Sequence, residues 1–158
     1  MPRPLPPESL LANHSAAGDY TDCFAADLPR AVTLAELITA FYNSPAFRPE
    51  RWVLHLIGKG SGGEDVRKLA ASEASDFAAW NLVNRTDTEI LLQDFQNRTC
   101  SWLAVEPLAT TAPTIKGRTR LYFGSGVRQP DGALVKALMP FHRFYAQALL
   151  KSAVRALR

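Results

Sequence analysis

Apolar and polar positions alternate early in this chain, then fall at helical intervals, then alternate again. From Tyr20 to Ala26 every second residue falls on one face of a predicted strand, which Pro29 ends because proline cannot donate to a sheet ladder. Apolar residues three or four positions apart then predict a helix, with Leu34, Leu37, Ile38 and Phe41 on one face. Thr33 and Glu36 precede this face with the spacing of a capping box.

The second half of the chain predicts an antiparallel sheet. A short helix opened by Pro49 and a glycine-rich connection, "GKGSGGEDVRKLA", come first. Alternation then predicts four strands, Phe77–Val83, Thr88–Asp94, Arg98–Glu106 and Lys116–Arg128. The short turns between them imply antiparallel neighbours, since parallel strands need a long crossover. Predicted helices and strands come in separate groups along the chain rather than in strict alternation, and this order indicates the α+β class.

The closing stretch, "ALVKALMPFHRFYAQALLKSAVRALR", predicts one amphipathic helix over residues 133–157. On a helical wheel its buried face holds Val135, Leu138, His142, Tyr145, Leu149 and Ala153. The opposite, solvated stripe holds Lys136, Pro140, Arg143, Gln147, Lys151 and Arg158. His142 is therefore either a core histidine that is hydrogen-bonded to a strand or a side chain that points into a cavity. The neighbouring Tyr145 favours a cavity, because two polar groups would each need a buried partner in a packed core.

Composition limits the class of protein. A chain of 158 residues with 47% hydrophobic residues predicts one globular domain over residues 19–158, preceded by a proline-rich, extended arm over residues 1–18. No apolar run reaches the roughly 18 residues of a membrane span, and no signal peptide is evident, so a cytoplasmic location is expected. A net charge of +3 favours anionic partners only slightly. The basic residues of the last helix are expected to serve solubility rather than nucleic-acid binding, and a homodimer is left open.

No reaction signature is present. The histidines His14, His55 and His142 lie far apart and match no metal-ligand spacing, so neither a metal nor another cofactor is expected. The glycine-rich stretch lacks the spacing of a phosphate-binding loop. Nothing in the sequence places Cys23 near His142 as a nucleophile and base, and a buried structural cysteine is the expectation.

Several stretches together resemble an uncharacterised bacterial family, the domain of unknown function numbered 2867. They are "DYTDCF", "FYNSPAFRPERWVLHLIGK", "TEILLQD", "GRTRLYFGSGV" and "MPFHRFYAQALLKSA". The chain departs from the family pattern in the third strand, where "D-D-x-H-L-D-F" is expected and only Asp94 matches, so no role is carried over for the missing histidine.

The resemblance implies the START-like (SRPBCC) or helix-grip superfamily, in which a curved antiparallel sheet wraps a long C-terminal helix around an amphipathic cavity. It also implies a small hydrophobic or lipid-like ligand. The expected polar contacts are Tyr20, Tyr122, His142 and Tyr145, and the expected walls are Trp80 and Trp102. Two alternatives remain open. One is a polyketide-cyclase-like or dehydratase-like enzyme with His142 as acid or base, and the other is an interaction module without a cavity that uses "RWVLHLIG".

Overall fold

The chain combines an antiparallel sheet with helices packed against it. A computed structural model describes residues 1–56, 58, 60–109, 117–128 and 133–158. The α-helices are α1 (Ala12–Ala16), α2 (Leu34–Tyr42), α3 (Arg48–Leu56), α4 (Gly63–Ala70) and α5 (Ala133–Ala156), with a 3-10 turn at Pro45–Phe47. The strands are β1 (Tyr20–Leu28), β2 (Asp76–Phe77), β3 (Trp80–Arg85), β4 (Glu89–Asp94), β5 (Thr99–Leu108) and β6 (Arg118–Val127).

The sheet is six-stranded, in the order β1-β6-β5-β4-β3-β2, and all neighbours are antiparallel. Helices α2 to α4 lie in the chain between β1 at one edge and β2 at the other, and the strands from β2 then return step by step until β6 pairs with β1. The predicted α+β class and antiparallel sheet are confirmed, while the helix-grip assignment stays a prediction.

Local sequence signals account for the first elements. The capping box of α2 is present, with Glu36 N donating to Thr33 Oγ1 (3.2 Å) and Thr33 N donating to Glu36 Oε2 (2.8 Å). Alternation in β1 also holds, since Phe24 packs in the core beneath the helices while Cys23 packs in a second cluster. These two signals are short-range, and packing elsewhere does not override them.

Two predictions of elements were wrong. The stretch expected to be a glycine-rich connection contains α4, which buries Val66, Leu69 and Ala70. Its four glycines precede or open the helix, and the apolar spacing behind them is that of a helix. The strand expected over Phe77–Val83 is divided by a turn at Ala78, whose φ is +56°. Strand β5 runs to Leu108, two residues beyond its predicted end at Glu106, and the predicted start of the last strand at Lys116 lies outside the described residues.

Apolar residues are buried on both faces of the sheet. The larger core lies between the sheet and the helices and includes Phe24, Phe41, Leu92, Leu103 and Leu150. A smaller cluster on the opposite face contains Leu11, Cys23, Leu91, Cys100, Trp102 and Ala104. Burial of apolar area on both faces is the main stabilising contribution to such a domain.

The N-terminal arm builds the second covered face. Arg3 N donates to Cys23 O (2.9 Å) and Ala25 N donates to Met1 O (2.9 Å), so the first residues run alongside β1. The chain then turns into α1, and Leu11 just before it is fully buried. The arm is therefore extended only at its beginning and packs against the sheet.

Helix α5 turns a somewhat different face to the sheet than the wheel predicted. Leu149 and Ala153 are buried as expected, and they are joined by Ala146, Leu150, Val154 and Leu157. Phe141 and Phe144 are 69% and 72% exposed, so two aromatic side chains lie on the solvent-facing side of this helix, beside Arg143. The predicted positions of Val135, Lys136 and Leu138 fall outside the described side chains. Within the described ranges, no helix has both the length and the apolarity needed to cross a bilayer.

Candidate functional site

A cavity of about 250 Å³ lies between α5 and the sheet. Its walls come from α2, the 3-10 turn, strands β3, β5 and β6, and α5. The lining residues are Phe41, Tyr42, Phe47, Trp80, Thr99, Cys100, Ser101, Phe123, Ser125, Gly126, His142, Tyr145, Ala146 and Leu149. Aromatic and aliphatic side chains dominate this set, and its polar members are few, as is usual in small-molecule sites.

The polar end of the cavity comes from strand register. Asp22 of β1 is directly opposite Ser125 of β6, and Ser125 is directly opposite Ser101 of β5. This row crosses three strands on the helix side of the sheet, one step along from Phe24, Phe123 and Leu103. Directly opposed residues in antiparallel strands project from the same face, so three polar side chains meet beneath α5.

His142 of α5 completes this group. Its Nε2 atom lies 2.7 Å from Ser125 Oγ and 3.7 Å from Asp22 Oδ2. Ser125 also donates from both its hydroxyl (2.6 Å) and its backbone N–H (3.0 Å) to Asp22 Oδ1. A carboxylate can only accept, so the single hydroxyl proton of Ser125 goes to Asp22. The lone pairs of Ser125 Oγ then accept from Nε2–H of His142, which assigns that proton and leaves Nδ1 as an acceptor in the neutral ring.

The three residues do not form the relay of a serine hydrolase. In that relay the carboxylate accepts from Nδ1 of the histidine, and Nε2 takes the proton of the serine. Here Asp22 accepts from Ser125 itself, and the imidazole approaches both groups through the same nitrogen. The serine proton is directed away from the histidine, so this arrangement orients His142 rather than activating Ser125.

Two buried polar atoms near the cavity have no hydrogen-bond partner among the described residues. One is Oδ2 of Asp22, whose side chain is only 6% exposed. The other is the indole Nε1–H of Trp80, a donor on a side chain that lines the cavity. Buried donors and acceptors are nearly always paired, and leaving one unpaired is costly.

Three of the six residues expected at the site do lie together. His142 and Tyr145 reach the cavity from α5, and Trp80 reaches it from β3. The hydroxyl of Tyr145 also donates a long hydrogen bond of 3.4 Å to the carbonyl of Ala46, which joins α5 to the 3-10 turn.

The other three expected residues do not line the cavity. Trp102 and Tyr122 project from the opposite face of the sheet, where their rings pack 5.6 Å apart. Trp102 donates to Glu89 Oε2 at 2.7 Å, and Tyr122 donates to Glu106 Oε2 at 2.6 Å. Tyr20 lies on the helix side at the start of β1, outside the lining set, and burial together with nearby Asp22 raises its pKa. Tyr20 and Tyr122 are therefore not polar contacts of this cavity, and Trp102 is not one of its walls.

Sequence reasoning missed the row that orients His142. Ser125 lies two residues after Phe123, and Asp22 lies two residues before Phe24, so alternation alone places each on the same face as a core phenylalanine. A charged residue in phase with a buried aromatic was the available signal. The pairing of Asp22 with Ser125 depended on strand order and register, which alternation does not supply.

Among the described residues, no group of three or more His, Cys, Asp or Glu side chains is arranged to hold a metal ion. Comparison of this chain with protein-family models, with curated proteins and with solved structures found no match.

Proposed function

We propose that this chain binds a small, mainly apolar molecule in the cavity between α5 and the sheet, in the manner of a helix-grip protein. The observation that carries the proposal is the cavity itself, with aromatic walls and a polar group at one end. Its volume of about 250 Å³ exceeds the roughly 150 Å³ that accommodates benzene in an apolar protein cavity. A ligand with a single substituted ring therefore matches the space.

Binding is favoured over catalysis because of what lines the space. Phe41, Phe47, Phe123 and Leu149 offer apolar contact, which stabilises a ligand without changing it. The enzymatic alternative rests on His142 alone, because the hydroxyl proton of Ser125 is directed to Asp22 and the serine is not activated. Exposure of Trp52 (65%) and Leu56 (64%) on α3 supports the interaction-module alternative, but that alternative gives the cavity no role.

The proposal is tested by filling the cavity from α5. Ala146 is 1% exposed and lines the space, so Ala146→Leu places extra methyl groups inside it. The single-ring probes p-xylene and p-cresol are titrated into the protein by calorimetry. We expect at least one of them to bind the natural chain, and we expect Ala146→Leu to weaken that binding at least tenfold.

Ala156→Leu is the matched control, since Ala156 belongs to the same helix and is exposed. It should bind the probes like the natural chain. Overpacking a filled core costs about 1–3 kcal/mol, whereas a side chain that enters empty space should leave the free energy of unfolding nearly unchanged. Failure of both probes to bind the natural chain would overturn the proposal.

A further inference from the structure

The chemistry of the ligand can be inferred from the polar atoms that the cavity presents, and this inference rests on the proposed function. Nε2 of His142 is occupied by Ser125, at 2.7 Å. The polar contacts of this ring are made through Nε2, so Nδ1 has no partner among the described residues, and the ring, whose side chain is 36% exposed, lines the cavity. Because Ser125 accepts from Nε2–H, Nδ1 of the neutral ring carries the lone pair. His142 therefore offers an acceptor to a ligand.

Trp80 offers the complementary group. Its Nε1–H is buried, lacks a partner in the described part of the chain, and belongs to a lining side chain. Indole nitrogen only donates, so the matching ligand atom is an acceptor. The second tryptophan of the sheet differs, because Nε1 of Trp102 donates to Glu89 at 2.7 Å. Of these two indoles, only that of Trp80, which lines the cavity, has an unpaired donor.

Charge excludes an anionic ligand. None of the described lining residues is Lys, Arg, Asp or Glu, so a carboxylate would find no permanently charged cation on these walls. Behind His142, Oδ2 of Asp22 is buried 3.7 Å from Nε2. A second carboxylate placed near it would be repelled in surroundings that screen charge poorly.

We propose that the cavity takes a neutral, phenol-like molecule, whose hydroxyl donates to Nδ1 of His142 and accepts from Nε1–H of Trp80. A hydroxyl is the smallest group that both donates and accepts. The phenylalanine rings and Leu149 would enclose its aromatic body. Carboxylic acids, including fatty acids, and pure hydrocarbons would be discriminated against.

The test compares p-cresol with p-xylene, which differ by a hydroxyl in place of a methyl group, and includes 4-methylbenzoate as the anion. In a purely apolar cavity p-cresol should bind about tenfold more weakly than p-xylene, since its hydroxyl loses water without gaining a partner. If the hydroxyl forms the two proposed hydrogen bonds, p-cresol binds at least as tightly as p-xylene. The anion should not bind measurably.

Two variants assign the contacts. Trp80→Phe removes the donor and His142→Phe removes the acceptor, and each retains a flat ring. In either variant we expect the order to invert, with p-xylene binding about tenfold more tightly than p-cresol. Trp102→Phe is the matched control, because its indole faces the other side of the sheet. It should lower the melting temperature and leave the order of the two probes unchanged.

The outcomes separate the two proposals. Binding of p-xylene in clear preference to p-cresol by the natural chain would overturn the phenol-like ligand and leave the binding function standing. The phenol-like ligand would also be overturned if the natural chain and both variants preferred the same probe. In that case neither Trp80 nor His142 would bind the hydroxyl. Absence of binding by both probes would overturn the binding function, and this inference with it.

Discussion

At the scale of single residues, burial sets the chemistry of the two cysteines. Cys23 and Cys100 are 5% and 2% exposed and form no disulfide. Burial, followed by the charge of Asp22, raises the pKa of Cys23 from 9.0 to about 11. Burial raises the pKa of Cys100 from 9.0 to about 12. Both side chains are therefore held as neutral thiols within the smaller cluster, on the face of the sheet opposite the cavity.

We expect these thiols to react slowly with a thiol reagent in the native state. The thiolate is the nucleophile, and at pH 8 a pKa near 11 leaves a thiolate fraction on the order of a hundredfold below that of a free cysteine. A colorimetric thiol titration at pH 8, with and without denaturant, measures this directly. Cys23→Ala should leave the slower-reacting thiol, Cys100. Equal rates in the native and unfolded chains would contradict the assignment.

The same shifts predict how stability depends on pH. A pKa raised by folding means that the folded state favours the protonated thiol. That contribution is complete below the unfolded value near 9 and is lost as the pH rises toward the folded values of about 11 and 12. The free energy of unfolding should thus decline on the alkaline side, and less steeply when Cys23 is replaced by Ala.

The sequence can assign a residue to the cavity only where one face of its strand or helix is polar, because two buried faces look alike. His142 and Tyr145 were found because α5 has one polar side. In β5, however, six successive residues from Cys100 to Val105 are buried, so apolar character does not tell which face meets the helices. Trp102 was assigned to the cavity for that reason, although it lies on the other face. The N-terminal arm packs on the second face of the sheet, and the alternation of apolar and polar residues in the strands gives no sign of this.

At the scale of elements, β6 must approach its neighbours closely at a glycine. A Cβ atom at Gly124 would lie 2.7 Å from Leu11 Cδ2 and 2.9 Å from both the Asp22 carbonyl oxygen and Trp102 Cε3. The carbonyl belongs to the paired strand β1, so it cannot move without shifting the strand that carries the Asp22 carboxylate. Gly124 thus couples the spacing of β1 and β6 to the polar row of the cavity.

Gly124→Ala is expected to lower the free energy of unfolding by about 1–3 kcal/mol, the usual cost of overpacking. Urea unfolding measures it. Gly63→Ala is the control, since a Cβ there meets nothing within 4 Å and alanine favours the helix α4 in which Gly63 lies. That variant should be neutral or slightly stabilised. Equal midpoints for Gly124→Ala and the natural chain would show that the strands have room to separate.

The elements themselves were largely predictable, because their signals are local. A capping box, a two-residue period and a helical wheel found α2, β1, β4, β5, β6 and α5. The missed helix α4 begins in glycines, which weaken a helix and hide its apolar spacing. Strand order was beyond reach, since the pairing of β1 with β6 joins residues about a hundred positions apart.

At the scale of the whole molecule, the N-terminal arm and the sheet share one set of contacts. Oε2 of Glu89 accepts from the backbone N–H of Leu10 (2.9 Å) and from Nε1–H of Trp102 (2.7 Å). One carboxylate therefore joins the arm to the cluster that closes the outer face of the sheet. Residues 1–18 and 19–158 can be separated by composition, but these contacts argue that they unfold together.

Leu11→Ala tests this coupling. Leu11 is fully buried against Cys100, Trp102 and the backbone of β6, so its truncation should lower the free energy of unfolding by about 2–5 kcal/mol. Leu5 is only partly buried in the same cluster, and Leu5→Ala should cost less. Thermal unfolding is followed by both far-ultraviolet circular dichroism and tryptophan fluorescence. If arm and sheet form one unit, the two signals shift together in a single transition. An arm that merely rests on the surface would instead leave the main transition of Leu11→Ala at the temperature of the natural chain, because the core beneath α5 would be intact.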